Sequence, residues 1–260
     1  HVVTRRQRQM CIRDRLLGGT LLAVSANVLN QIFEIETDRL MERTAKRPLV
    51  TGEINKKSAY VYSISLGLVG FLVLYTQTTE LAAFIALSAN IFYSFIYTLV
   101  LKPRTNQNIV IGGAAGAAPV LIGWSATGTN LDTGSWLLFL LVFLWTPAHF
   151  WALSIDKLND YKDANFPMLP TQESYKRTSI FIGIYSCATV LTSLLLAPIL
   201  QLGMVYLLLS LIFGLYLMYK SYQLYRKQIK AISYFVFSNT YLAVIFLSMV
   251  ADIFITLSSI

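Results

Sequence analysis

The sequence predicts an all-α fold, a polytopic membrane helical bundle with eight transmembrane helices. Three observations lead there. Apolar runs of about 20 residues, the length that crosses the hydrocarbon of a bilayer, recur along nearly the whole chain. Charged residues make up 13% of the 260, where a soluble domain carries about a quarter. Strand-period alternation is absent, which argues against a transmembrane β-barrel.

The runs follow one another with little between them. The first, residues 16–33, leads into the polar stretch Asn30–Asp38. The second and third, 58–76 and 80–99, are joined by a short connection. The fourth, 109–126, holds Gly112, Gly113 and Gly116, small residues that let helices approach closely. The fifth, 136–155, contains the aromatic segment Trp145–Trp151 around His149. Pro119 and Pro147 are expected to kink their helices. The sixth and seventh, 178–198 and 202–219, precede the last at 234–257. The two cysteines, Cys11 and Cys187, form no disulfide or metal pattern. A bis-histidine membrane cytochrome is excluded, because His149 is the only histidine apart from His1.

Basic residues set the orientation. Lys and Arg crowd residues 39–57, 102–104, 157–177 and 220–230, and are missing from the connections near 77–79, 127–135 and 199–201. The positive-inside rule makes the basic loops cytoplasmic. That alternation leaves residues 1–15, with five arginines, on the outer side. The conflict is resolved if Arg5–Arg15 is a non-native head resembling translated adapter sequence, set aside from fold reasoning. The expectation is then a head of 1–15 and one transmembrane domain of 16–260, preceded in the native chain by at least one more helix. A basic N-terminus that binds anionic lipid is the rival reading. Outside the head the basic excess is modest, so no nucleic-acid partner is expected.

Chemistry concentrates in two long basic loops. Asn30, Glu34 and Asp38 are spaced by four, drift about 40° per step, and share one helix stripe over roughly 12 Å. Glu42 would extend that stripe, and Glu36 falls on the far side. An amide and two carboxylates suit a hard cation, and Mg2+ prefers a few carboxylates, waters and phosphate oxygens. Arg43 and Arg47, also four apart, carry guanidinium forks suited to phosphate. Asp156 and Asp160, with Asp163 behind them, repeat the logic four helices later, on the same membrane face and in the same helix direction. The spacing suggests two parallel half-bundles about one cavity. Acids at helix ends are often solvated interfacial residues, but two sets with matching spacing favour a site. A transporter would place its acids at mid-membrane depth; here they gather at one interface.

The chain resembles the UbiA-type intramembrane prenyltransferases, and among them the haem-modifying branch. Three segments carry the resemblance: Ser25 through Asp38 to Arg47-Pro48; Tyr97 to Lys102 with Thr105 to Trp124; and Trp145 to Leu153 with Asp160-Tyr161 and Pro167 to Pro170. The family has nine helices, so this chain looks like eight with the first missing. It departs from the family at Glu34, where Asp is usual, at Asn159, where an Asp is frequent, and at Asn165, where Gly is frequent.

The resemblance implies transfer of a farnesyl group from farnesyl diphosphate to a vinyl group of protohaem IX, giving haem O, with Mg2+ as cofactor and haem as substrate. It implies one ion held by Asn30, Glu34 and Asp38 and another by Asp156 and Asp160. Arg43, Arg47 and Lys102 would clamp the diphosphate, with Asp160 also in the catalytic set. Asn30, Tyr97, Asn108 and His149 would contact substrates, and Tyr93 and Phe95 are further candidates to shelter an allylic cation. The expected setting is the lipid bilayer, the bacterial cytoplasmic membrane or the mitochondrial inner membrane, with the site on the cytoplasmic side. Handover of product to a haem A synthase or terminal oxidase is a further expectation. The alternatives are a prenyltransferase acting on a quinone precursor and a membrane transporter.

Overall fold

The computed structural model describes residues 5–258, with side chains from 12 to 255. Residues 1–4 of the expected head lie outside the described residues. Among the described residues eight helices are long and apolar enough to cross a membrane, the first starting its apolar stretch at Ile12 and the last ending it at Ile255. Each overlaps one of the eight expected runs, so the chain is an integral membrane protein. The described residues fall into two compact units, one of residues up to 135 plus 160–167, the other of 136–159 plus 168–260.

The first unit is built on α1 (Arg5–Phe33), which runs through 5–15 without a break. Lipid tails offer no hydrophobic drive between helices, so close backbone approach and interhelical hydrogen bonds must do the holding. Small residues permit it here. A Cβ on Gly18 would meet the carbonyl of Gly70, on α4 (Lys56–Gln77), at 3.0 Å. One step along the same antiparallel seam, the Ser63 hydroxyl donates to the Ser25 carbonyl at 2.9 Å.

The third span begins as α5 (Glu80–Ile91), capped by the Thr79 hydroxyl on the Ala82 N–H at 3.1 Å. It then widens into a ten-residue π-helix, Phe92–Leu101. Asn90 Nδ2 donates to the Leu22 carbonyl at 2.8 Å, and Asn30 Nδ2 donates to Thr98 Oγ1 at 3.1 Å. Both contacts join residues 68 apart, so α1 and this span run parallel in one register. Then follow α6 (Asn108–Ser125), continuous through Pro119, and the start of α7 (Thr133–Asp156). A reciprocal capping box opens α7: Ser135 N–H donates to Asp132 Oδ1, and Asp132 N–H to Ser135 Oγ, each at 2.9 Å.

Between the first two spans lie α2 (Ile35–Leu40) and α3 (Pro48–Thr51). Pro48 occupies the first turn of α3 and Gly52 closes it at φ 85°, a left-handed position open to glycine. The corresponding later loop carries α8 (Leu158–Asp163) and α9 (Leu169–Gln172), with Pro170 in the first turn of α9. Both loops are defined turns, as their Pro and Gly content predicts.

The second unit joins α7 from Trp136 onward to α10 (Tyr175–Ile199), α11 (Met204–Tyr225) and α12 (Ala231–Ser258). Polar atoms inside a bundle need internal partners. Tyr206 donates to the Ser193 carbonyl at 2.6 Å and Tyr241 to the Ser193 hydroxyl at 2.8 Å. Tyr234 and Ser186 share a hydrogen bond of 2.6 Å. Asp252, on α12, is 4% exposed and accepts from the N–H groups of Gly203 and Tyr206, so a distant carboxylate caps the start of α11. Asp252→Ala is expected to cost about 1–2 kcal/mol, read as a lowered thermal midpoint in detergent.

Candidate active site

The stripe predicted from spacing is present. α1 stops at Phe33 and α2 starts at Ile35, but helical bonding crosses the joint, with Glu34 N–H to the Asn30 carbonyl at 3.0 Å and Asp38 N–H to the Glu34 carbonyl at 2.7 Å. Asn30, Glu34 and Asp38 therefore share a face, and they are only 7%, 7% and 3% exposed. Glu36 lies away from it, exposed and paired with Arg39 at 3.3 Å. Glu42 does not extend the stripe as expected. Helix α2 ends at Leu40, Met41 turns extended at φ −100° and ψ 125°, and Glu42 is exposed.

Buried carboxylates are tolerated only with counter-charge. Two cations supply it. Lys102 Nζ lies 2.6 Å from Glu34 Oε1 and donates to Oε2 at 2.7 Å. Arg47 Nη1 lies 2.5 Å from Asp38 Oδ2. The expected pair of arginine forks is split, because residues 42–46 form turns instead of a helix: Arg47 reaches the stripe, while Arg43 is exposed. Thr44, which the sequence reading passed over, is 1% exposed and donates to the Asp38 carbonyl at 2.9 Å, closing the end of α2.

The π-helix positions the rest. Thr98 Oγ1 gives its hydrogen to the Tyr93 carbonyl at 2.8 Å, so it accepts from the Asn30 amide. That fixes the amide and turns Asn30 Oδ1 away from Thr98, leaving it as the oxygen donor of the stripe. Four residues later Lys102 meets Glu34, again 68 residues apart. Tyr97 is 9% exposed, stacks on Tyr93 at 5.3 Å, and sits where any side chain on Gly112 would collide with its ring. Phe95 differs from its companions: it is 45% exposed and packs on Phe33 at 5.7 Å, off the buried face. Sequence gave no signal for Thr98 or for the π-helix.

The later acidic loop returns to the same unit. Phe166, six residues past Asp160, places its ring 4.6 Å from Lys102 Nζ, a cation–π contact beside the Glu34 pair. Asn108 is fully buried, and its Nδ2 donates to the Thr105 carbonyl at 2.6 Å and the Pro167 carbonyl at 3.4 Å. It thus ties the loop before α6 to the 160–167 segment. Asn165 adopts φ 53°, the left-handed conformation that asparagine tolerates best after glycine. That explains a residue which otherwise departs from the family's frequent glycine. Asn165→Val is expected to cost about 1–2 kcal/mol, and Asn165→Gly to leave the thermal midpoint near its starting value.

Asp156 and Asp160, expected as one pair, fall in different units. α7 ends at Asp156, which pairs with Lys157 at 3.7 Å, and α8 begins only at Leu158. Asp163 is exposed. His149 is 7% exposed and stacked between Trp145 and Phe235, each 4.2 Å away. Ser238 Oγ donates to the Phe235 carbonyl at 2.7 Å, so it accepts from His149 Nδ1 at 2.7 Å, leaving the lone pair on Nε2.

Among the described residues, no three or more His, Cys, Asp or Glu side chains gather as a metal cage. A cation that keeps waters and takes phosphate oxygens does not require one. The donor set fits Mg2+: two buried carboxylates and an oriented amide oxygen on one stripe, with cations beside them for an anionic ligand.

The chain is thus a helical membrane bundle with a buried Asn-Glu-Asp stripe and two cations beside it. The chain belongs to the UbiA prenyltransferase family, whose model matches residues 15–250. It is 42% identical over 242 residues to protohaem IX farnesyltransferase of Clavibacter sepedonicus, covering 91% of this chain and 79% of that one. It is 42% identical over 238 residues to the protein of that name from Thermus thermophilus, where the match covers 91% of this chain but spans only 39% of the relative's length. Among solved structures, a digeranylgeranylglyceryl phosphate synthase matches with a TM-score of 0.78 at 21% identity, over 96% of this chain and 87% of that one. A UbiA homologue from Archaeoglobus fulgidus bound to GPP and Mg2+ matches at 0.64 and 17%, over 93% and 88%. At these identities the structural likeness establishes the fold.

Proposed function

We propose that the protein transfers a farnesyl group from farnesyl diphosphate to a vinyl group of protohaem IX: the carbon–oxygen bond to diphosphate breaks, the vinyl carbon bonds to the farnesyl carbon, and water captures the resulting cation as the hydroxyl of haem O while diphosphate leaves. The observation that carries this is the buried stripe Asn30–Glu34–Asp38 with Lys102 and Arg47 on its carboxylates. The relatives' shared name supports the choice of acceptor. In this reading Asn30 Oδ1, Glu34 and Asp38 hold Mg2+, which when bound neutralises the charge that grows on the departing diphosphate. Lys102 and Arg47 balance the carboxylates beforehand and turn to the diphosphate oxygens when it arrives. Arg43, exposed and near the same turn, adds a guanidinium to the leaving group. Asp160 contributes a further carboxylate from the neighbouring loop. Tyr93 and Tyr97 present ring faces to the allylic carbons and help exclude water. Both faces of His149 are covered, so its contact with porphyrin or iron is through Nε2. Asn108 acts by holding segment 160–167 in place. The site faces the cytoplasm, by the basic loops beside it, in a bacterial cytoplasmic membrane.

The test is reconstitution in proteoliposomes with farnesyl diphosphate and either protohaem IX or 4-hydroxybenzoate, with Mg2+ or with EDTA. The expected result is haem O, identified by mass, only with protohaem and Mg2+. Prenylated hydroxybenzoate would overturn the acceptor, and transfer that persists in EDTA would overturn the metal site.

A further inference from the structure

The second unit carries a one-signed charge distribution at one end. Between Glu173 and Asp252 the sequence has no acidic residue, yet it contains Lys176, Arg177, Lys220, Arg226, Lys227 and Lys230. Some of these are occupied. Arg177 pairs with Glu173 at 3.2 Å, and Lys227 lies over the Tyr175 ring at 5.1 Å. Lys220 stands elsewhere, one turn beyond Tyr216 on α11, and Tyr216 lines an open apolar groove of about 550 Å³. Ile212, Leu215, Tyr216 and Tyr219 from α11 line it with Phe213 and Phe237, whose rings lie parallel at 6.3 Å. Lys220 Nζ is 5.5 Å from the Tyr216 ring centre and donates to Ser233 Oγ at 3.4 Å. Among the described residues it has no carboxylate partner.

We propose that this groove between α11 and α12 binds one acyl chain of an anionic phospholipid, whose phosphate rests on Lys220 and the Ser233 hydroxyl. The walls are apolar and aromatic along the two helices, so they match a hydrocarbon chain. The charge beside the groove, next to Tyr216, is positive and lies at the basic end of the helices, where a headgroup sits. A soluble phosphate would use Lys220 and leave the walls unused. A zwitterionic lipid would bring a choline or ethanolamine cation into a neighbourhood of lysines and arginines. Tyr216 connects the two parts, its ring forming wall and cation contact together, at 4.6 Å from Phe237.

Native mass spectrometry of the protein released from nanodiscs of phosphatidylcholine with or without phosphatidylglycerol tests this. One phosphatidylglycerol is expected to be retained about fivefold over phosphatidylcholine, the preference a single interfacial lysine confers. Lys220→Gln should abolish the preference, while Lys227→Gln, whose charge rests on Tyr175, should keep it. Leu215→Trp, which fills the exposed groove, should reduce retention of both lipids. Equal retention of the two lipids, or a preference surviving Lys220→Gln, would overturn the proposal. So would equal loss in Lys227→Gln, which indicates diffuse charge, or displacement of lipid by farnesyl diphosphate, which assigns the groove to substrate.

Discussion

Asp38→Asn is expected to reduce farnesyl transfer about 100- to 1,000-fold, the range for removing one preorganised charge from a water-poor site. The side chain is 5% exposed and pairs with Arg47, whose side chain is 27% exposed. Asparagine keeps an oxygen for that guanidinium, so the fold should survive with little change in thermal midpoint. What is lost is one full negative charge among the oxygen donors. Rates measured across a range of Mg2+ should therefore show a raised metal requirement as well as a lower ceiling. Transfer within a few-fold of the parent at ordinary Mg2+ would remove Asp38 from the metal site.

The second large effect belongs to Lys102. Lys102→Met leaves Glu34, whose side chain is 8% exposed, without the ammonium that contacts both its oxygens. Breaking a buried pair from one side costs about 3–5 kcal/mol. The Phe166 contact at 4.6 Å loses its cation as well, loosening the 160–167 segment. Combining Lys102→Met with Glu34→Gln should recover most of the stability, because no unpaired charge is left behind. Activity should not return. Measuring thermal midpoints and rates for both single variants and the double separates a pair that merely stabilises from one that also serves catalysis. Recovery of rate in the double variant would assign the pair to folding alone.

Much of this architecture was legible in the sequence because a bilayer imposes a length on every span. The stripe was legible for a similar reason: a spacing of four places side chains on one helix face even across the joint at Glu34. Legibility stopped where tertiary contacts decide. Glu42 kept the spacing but not the helix, since the chain turns at Met41. Arg43 and Arg47 look equivalent in sequence, and only Arg47 reaches Asp38. Asp252, a lone acid in the last apolar run, shows its role only through its partners, 49 and 46 positions away, where it caps the start of α11. Thr98, within an apolar span, and Phe166, in a charged loop, carry no signal until their partners, 68 and 64 positions away, are known. Asn165 is the opposite case. Its departure from glycine was visible, and its φ of 53° supplies the reason.

The constant offset between α1 and the third span bears on life in membranes of different thickness. Leu22 with Asn90, Asn30 with Thr98, and Glu34 with Lys102 lock two parallel helices at three heights. Sliding one past the other by a single residue would break all three contacts together, so no graded slippage is available. Bilayers that thin or thicken are accommodated by tilt, at a fraction of a kcal/mol per Å, and tilt carries both helices as one body. The ruler holds its marks while the membrane around it stretches.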